Sequence, residues 1–174
     1  MTLHLPQPSD SPDELLAGRA QGGDRIAFEA LVLRYLGPAR AFCSKLLRDP
    51  VLAEDACQEG FLKAWRGLPG FRGEAKFRTW LWRILVNTAN DLRKPKPESI
   101  GDREFEAVPE RDVAAEDAVA RAVTALPDRQ REVLLMRAEL GLDLEEIAAA
   151  LGITYDAAKA NLSLARKKLK ELLA

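Results

Sequence analysis

Apolar residues recur at three- and four-residue spacing along most of this 174-residue chain. Phe28, Leu31, Val32 and Tyr35, for example, fall on one stripe, as they would on the buried face of an amphipathic helix. No segment shows the strict alternation of apolar and polar residues that is typical of a half-buried strand. The pattern therefore predicts an all-α protein.

Capping and breaking residues divide the first half of the chain into predicted helices. Ser11 is expected to cap the first helix and Asp24 the second. The Gly-Pro pair at 37–38 is expected to break the second helix, so that a separate third helix follows it. The Asp-Pro pair at 49–50 is expected to start the fourth.

Residues 95–117 interrupt the helical pattern. They hold three prolines and eight acidic residues against three basic ones, a net charge of −5. This composition predicts an extended, mobile acidic linker. Residues 11–94 and 118–174 are accordingly predicted to form two small helical domains, and residues 1–10 a flexible tail.

The second domain carries a local motif, LEEIAAALGITYDAAKANL, that begins at Leu144. Asp143 opens a capping box, Gly152 can adopt the left-handed turn conformation, and Thr154 can cap the final helix. The small Ala148 suits the crossing of two nearly perpendicular helices. The motif predicts a DNA-binding helix-turn-helix, and an ordinary helical hairpin is the alternative.

The net charge of the chain is only −1, but the charge is unevenly distributed. Residues 1–94 carry a net +3, the predicted linker −5 and residues 118–174 +1. Within these blocks, residues 66–94 reach +5 and residues 157–174 reach +4. Two basic helical surfaces are therefore predicted on either side of one acidic tether, and basic surfaces of this kind favour nucleic acid.

Several classes of protein are excluded by composition. His4 is the only histidine, and Cys43 and Cys57 are the only cysteines, so no zinc site, disulfide framework or histidine general base is expected. No uncharged run approaches the ~20 residues of a spanning helix, and the N-terminus does not resemble a secretory signal. We expect a soluble cytoplasmic protein with no catalytic residues, metal, cofactor or small-molecule substrate.

Cations alternate with aromatic residues over residues 71–94, most of which fall in a predicted helix at roughly 76–94. Cations can follow phosphates while aromatic rings stack on unpaired bases, and an asparagine can read a base edge. The alternative is that the aromatics are core, which the periodicity favours for Phe77, Trp80 and Leu81, whereas Trp82 lies on another face and is the better DNA candidate. The predicted DNA contacts are Phe71, Arg72, Lys76, Arg78, Trp80, Trp82, Arg83, Asn87, Arg93 and Lys94.

An acidic helix precedes this segment. Its polar and apolar candidates are Glu54, Asp55, Gln58, Glu59, Leu62 and Trp65. Without a histidine or a third carboxylate at ligand spacing, metal or acid–base chemistry is disfavoured. The remaining interpretations are a solvated helix face and a protein-docking surface in which polar residues surround apolar anchors.

Taken together, LAEDACQEGFLKAW (52–65), FRTWLWRILVNTANDLRK (77–94), LPDRQREVLLM (126–136) and the helix-turn-helix resemble bacterial RNA polymerase sigma factors. The two-domain form is similar to the extracytoplasmic-function group of the sigma-seventy superfamily. The resemblance covers nearly the whole chain beyond about residue 12, with the motifs in the family's order.

The resemblance implies a role for each segment. The acidic helix would bind the clamp helices of core RNA polymerase, and the loop around residues 71–78 would take a flipped base of the minus-ten element, with Asn87 near it. The linker would run near the active-site and RNA-exit path. The last helix would read the minus-thirty-five element through Thr154, Tyr155, Lys159, Asn161, Ser163, Arg166 and Lys167.

One departure from the family pattern lies in this last helix. Asn161 and Leu164 stand where two arginines are common, which predicts an altered upstream preference, with Asn161 able to read adenine.

The resemblance therefore implies core polymerase, promoter DNA and an anti-sigma factor as partners. The protein without partners is expected to be monomeric, and the anti-sigma partner leaves two alternatives, a cytoplasmic complex or sequestration at the membrane. The rival interpretations are a stand-alone helix-turn-helix regulator and a helical interaction protein or hydrolase using Glu54, Asp55 and Glu59.

Overall fold

The computed structural model describes residues 11–93 and 114–174, and every regular element in these two stretches is helical. This confirms the all-α prediction. A single turn of 3-10 helix, Leu68–Gly70, separates the third and fourth α-helices. The helices are α1 (Asp13–Gln21), α2 (Arg25–Leu47), α3 (Pro50–Gly67), α4 (Phe77–Arg93), α5 (Ala114–Thr124), α6 (Asp128–Glu139), α7 (Leu144–Leu151) and α8 (Tyr155–Leu172).

The predicted break in α2 was wrong. The helix runs unbroken through Pro38, because Ala27 and Leu31 on one side of the proline and Phe42 and Leu46 on the other are all buried in one core. Proline removes only one backbone donor, and the packing of the two halves compensates for that loss.

Start signals were predicted with mixed success. Asp24 caps α2 by accepting from the Ala27 N–H at 3.1 Å, and Asp49 caps α3. The Ser11 prediction was wrong, because Pro12 occupies the capping position of α1 with no side-chain bond to the helix. Ser11 is instead nearly buried, and its carbonyl accepts from the Arg34 guanidinium at 2.8 Å.

The helix-turn-helix is present as predicted. The Asp143 carboxylate and the Glu146 side chain complete a reciprocal capping box at the start of α7. Gly152 adopts φ 64°, which ends α7, and the Thr154 hydroxyl caps α8. These caps depend on neighbours within four residues, so the local sequence suffices to place them.

Helix α5 was not predicted. It begins at Ala114, inside the stretch expected to belong to the linker, and it continues to Thr124. Alanines dominate this helix and favour helical backbone, and Ala122 is buried. The remaining residues of the predicted linker, 95–113, and the predicted tail at 1–10 lie outside the described residues.

The helices of the first domain, α1–α4, pack on those of the second domain, α5–α8. Helix α4 lies against α7, and α2 lies against α6. Polar contacts reinforce this packing. Lys45 on α2 pairs with Glu139 on α6 at 2.6 Å, and the Asn90 amide on α4 donates to Glu132 on α6 at 2.8 Å. Glu132 is 2% exposed, so this contact is a buried part of the interface and is shielded from solvent.

Candidate nucleic-acid interface

A cleft of about 440 Å³ opens between α1 and the loop that precedes α4. Glu14, Gly18 and Gln21 form the α1 side, and residues 71–76 form the other. The Gln21 amide donates to the carbonyls of Leu68, at 3.0 Å, and Phe71. Sequence reasoning missed Gln21, because its partners lie 47 and 50 residues further along the chain.

Aromatic rings support this loop from below. The Phe71 ring lies 5.1 Å from the Trp80 ring and 6.0 Å from the Phe77 ring, measured between centroids. Phe77 is fully buried, whereas Phe71 and Trp80 are only partly buried. The two partly buried rings therefore retain surface that could meet a ligand, and Phe77 anchors them.

Trp82 does not present its ring to DNA. It is 2% exposed and packs edge-on against Phe42 and Tyr35, with centroid distances of 5.8 and 6.1 Å. The assignment of Trp82 as the better DNA candidate is corrected by this packing, because its face of α4 is the one that contacts α2. Trp80, expected in the core, is the more accessible tryptophan.

The cations of α4 and of the loop before it contact helix α7 of the second domain. Lys76 and Arg78 donate to the Glu146 carboxylate at 3.5 and 3.0 Å. Arg83 donates through Nε to the backbone carbonyl of Ala149 at 3.1 Å. The predicted minus-ten cations thus contact carboxylate and carbonyl oxygens of α7.

Further along α4, Arg93 pairs with Asp128 at 2.7 Å. Asn87 is exposed, but it lies ten residues beyond Phe77 and is not part of the cleft. Arg72 is exposed at the cleft, and Lys94 lies outside the described residues. The structure therefore brings Phe71, Arg72, Lys76 and the nearby Trp80 to one place, and it puts Asn87 elsewhere.

Helix α8 presents an open surface. Most of the predicted contacts on it are exposed, namely Thr154, Tyr155, Lys159, Ser163, Arg166 and Lys167. Asn161 is different, because it is partly buried and its amide nitrogen donates to the Ala157 carbonyl at 2.8 Å. In this position the Asn161 nitrogen is occupied within its own helix, and Leu164, at 52% exposure, is the freer side chain.

The outer face of α3 carries the predicted docking residues. Asp55, Gln58 and Glu59 are exposed, with Glu59 paired to Lys63 at 2.9 Å, and Leu62, one helical turn further along, is 45% exposed. This arrangement of an apolar side chain within a polar surround suits a protein contact.

The other two members of the predicted set are tied to α2. Trp65 is half-buried, with its ring centroid 4.9 Å from that of Phe28. Glu54 accepts two hydrogen bonds from Arg40, at 2.8 and 2.9 Å, and these bonds, followed by one from Gln58, hold the pKa of the Glu54 carboxyl below its ordinary value. Both side chains join α3 to α2, which keeps α3 in place.

Neither a metal-binding cluster nor a membrane-spanning helix is present within the described stretches. No group of three or more histidine, cysteine, aspartate or glutamate residues there could hold a metal ion. Among the same residues, no helix is long and apolar enough to cross a membrane. Cys43 and Cys57 are buried free thiols, and their mutual hydrogen bond together with burial raises the pKa of Cys43.

Two family models match successive parts of the chain. Sigma-70 region 2 matches residues 31–96, and Sigma-70 region 4 matches residues 116–169. The chain is also 32% identical to the RNA polymerase sigma-H factor of Pseudomonas aeruginosa, across 92% of this chain and 93% of that protein. The chain therefore belongs to the sigma-70 family of RNA polymerase sigma factors, which are DNA-binding transcription initiation factors rather than enzymes.

Within that family the chain is an ECF sigma factor that directs promoter recognition. It is 32% identical to the ECF RNA polymerase sigma-E factor of Escherichia coli K12, across 90% of this chain and 92% of that protein. The prediction from the sequence is confirmed, and the stand-alone regulator is not favoured.

Solved structures agree with this assignment. CnrH, in its complex with the cytosolic domain of CnrY, is 30% identical with a TM-score of 0.76, covering 92% of this chain and 96% of that one. The sigma factor RpoE of Bartonella quintana, in complex with the anti-sigma factor NepR, is 25% identical with a TM-score of 0.66, covering 84% and 96%.

Proposed function

We propose that the three surfaces divide the work of promoter recognition. The α3 face binds core RNA polymerase, the cleft beside α1 takes an unpaired base of the non-template strand at the minus-ten element, and α8 reads the minus-thirty-five element. The protein acts in the cytoplasm by binding alone, without catalysis of its own. The observation that carries this proposal is the cleft, because cations and partly exposed aromatic rings converge beside it.

We also propose that the packed arrangement is an inhibited state. Lys76, Arg78 and Arg83 are bonded to α7, so a promoter strand can reach them only if α7 moves away. The similar proteins CnrH and RpoE were both solved with bound partners, and for RpoE that partner is an anti-sigma factor. An anti-sigma factor that holds the two domains together would keep this chain from opening promoters. A membrane-bound inhibitor would also retain it at the membrane.

One experiment separates docking from melting. The two variants Asp55→Lys and Arg72→Ala are compared with wild type for binding to core polymerase and for permanganate reactivity of promoter thymines. Asp55→Lys should weaken polymerase binding about fivefold or more, because it reverses a charge on the proposed docking face. Arg72→Ala should bind polymerase normally and open the promoter less.

The matched control for the charge reversal is Asp156→Lys, which changes an exposed aspartate on α8 far from α3 in the chain. Polymerase affinity should be unaffected by this control. Normal polymerase affinity for Asp55→Lys would refute the docking assignment, and normal thymine reactivity for Arg72→Ala would refute the role of the cleft.

A further inference from the structure

One wall of the cleft is helix α1, which the sequence had not connected with DNA. Glu14, Gly18 and Gln21 stand four and three residues apart and therefore share one face of the helix. All three are exposed and line the cleft opposite residues 71–76. The wall is therefore a helix face, which holds its shape better than a loop would.

Helix α1 is firmly attached to the rest of the first domain. The Asp13 carboxylate at its start accepts hydrogen bonds from Arg34 and from the Tyr35 hydroxyl on α2. Leu16, Ala17 and Ala20 on its opposite face are buried. The face that lines the cleft is consequently fixed relative to α2.

Gln21 connects this wall to the loop across the cleft. Its amide donates to the carbonyls of Leu68 and Phe71, on either side of the turn that leads into the loop. These bonds hold the start of the loop at a set distance from α1.

Gly18 leaves the cleft wide. A Cβ atom placed there would meet no other atom of the protein within 4 Å, and its backbone lies within an α-helix. A larger side chain at this position therefore fits the fold and projects into the cleft. Because glycine weakens a helix interior relative to alanine, the substitution is also expected to favour α1.

The charges in the cleft favour a base over a phosphate. Arg72 and Lys76 are balanced there by the carboxylates of Glu14 and Glu74. A phosphate inside the cleft would meet both carboxylates, whereas the amino groups of bases can donate to them. A base in the cleft, with its phosphates near the cations, satisfies both signs of charge.

We propose that the α1 face formed by Glu14, Gly18 and Gln21 is the second wall of the base-binding cleft, with Gly18 setting its width and Gln21 positioning the loop. This inference rests on the proposed function, in which the cleft takes one unpaired base. It assigns part of minus-ten selectivity to a helix outside the basic-aromatic segment.

The test uses holoenzyme assembled with core polymerase and a fluorescent single strand carrying the non-template minus-ten sequence of a promoter mapped by run-off transcription. Each nucleotide of the strand is replaced in turn by an abasic site, and the position that weakens wild-type binding identifies the captured base. The loss should be about fivefold or more, as is typical of removing one stacked base.

Gly18→Met is compared with Gly37→Met, which changes another exposed helical glycine whose added Cβ would also meet nothing within 4 Å. Gly18→Met should weaken binding of the intact strand about as much as the abasic site does, and should add no loss on the abasic strand. Gln21→Ala should do the same, and Gly37→Met should behave as wild type. Thermal midpoints should not fall for either glycine variant, because each replaces glycine within a helix, and polymerase affinity should be unchanged.

The outcomes separate the inference from the function on which it rests. If an abasic site and Arg72→Ala both weaken binding but Gly18→Met matches Gly37→Met, the α1 inference is refuted and the cleft stands. An equal loss for Gly18→Met on intact and abasic strands also refutes it. If no abasic site weakens wild-type binding, base capture itself is refuted.

Discussion

The two predicted DNA-binding surfaces of this sigma factor differ in how the rest of the chain treats them. On α4 and its preceding loop, Lys76, Arg78 and Arg83 are bonded to oxygens of α7. On α8, Lys159, Arg166 and Lys167 are exposed to solvent. Basic side chains are thus bonded to other parts of the chain at one surface and exposed to solvent at the other.

If the packed arrangement is the inhibited state proposed above, this difference places the control of the protein at one of its two predicted DNA contacts. The predicted upstream contact by α8 needs no rearrangement of that surface, whereas the predicted contact by Lys76, Arg78 and Arg83 would need α7 to leave. Contacts to phosphates supply much of the affinity of such proteins for DNA, so covering these cations would weaken the minus-ten contact selectively. Three measurements test this contrast.

The largest effect is expected at Trp82, which lies in the core and is not part of the covered surface of α4. Trp82→Ala should lower the free energy of unfolding by about 3–5 kcal/mol, because it leaves a cavity among Phe42 and Tyr35. Urea denaturation measures this loss. Trp80→Ala, at a partly exposed position on the same helix, should lower the free energy of unfolding clearly less. Equal losses for the two variants would contradict the placement of Trp82 in the core.

An intermediate effect is expected at the contact between the two domains. Glu146→Gln removes the charge that binds Lys76 and Arg78 but keeps a side chain that can complete the capping box of α7. The free protein should then bind a single-stranded minus-ten fragment about three- to tenfold more tightly, since one charged hydrogen bond is worth about 1 kcal/mol at a partly exposed site.

Fluorescence anisotropy measures that affinity, and Glu145→Gln provides the control. It removes the same charge from the neighbouring exposed position on the same helical turn. The contrast between the two surfaces fails if both variants bind equally well, because the gain would then reflect net charge rather than release of α4.

The smallest effect is expected on the open surface. Lys159→Ala should weaken binding to a duplex minus-thirty-five fragment and reduce the slope of log affinity against log salt by about one, the change expected for one lost phosphate contact. Ser163→Ala, at another exposed position of α8, should leave the slope unchanged. A salt titration in which both variants keep the wild-type slope would show that Lys159 does not meet a phosphate.

Prediction from the sequence succeeded where the determining contacts are short-range. Asp24, Asp143 and Thr154 bond to backbone groups three residues away, so each cap can be recognised in isolation. The family was recognisable for a related reason, because its motifs are contiguous and occur in a fixed order. Helix α5 was missed because its first residues belong to the acidic, proline-containing stretch 95–117, whose composition predicts a linker.

Prediction failed where a choice depended on which neighbour packs against a helix. The periodicity of α4 separates the faces of Trp80 and Trp82 but does not say which of them meets α2. Pro38 is a strong local breaking signal, yet the core on both sides of it keeps α2 continuous. Tertiary burial outweighs local preference in both cases.

The helical class, the helix-turn-helix and the family can be read from the chain alone, because they depend on spacing, capping and contiguous motifs. The position of Gln21 and Gly18 in the wall of the cleft, and the contact of Glu146 with Lys76 and Arg78, emerge only from the folded structure. Gln21 and Glu146 reach partners that lie 47 to 70 residues away in the chain. Contacts of that separation leave no mark in the local pattern, because each partner is also an ordinary surface residue of its own helix or loop.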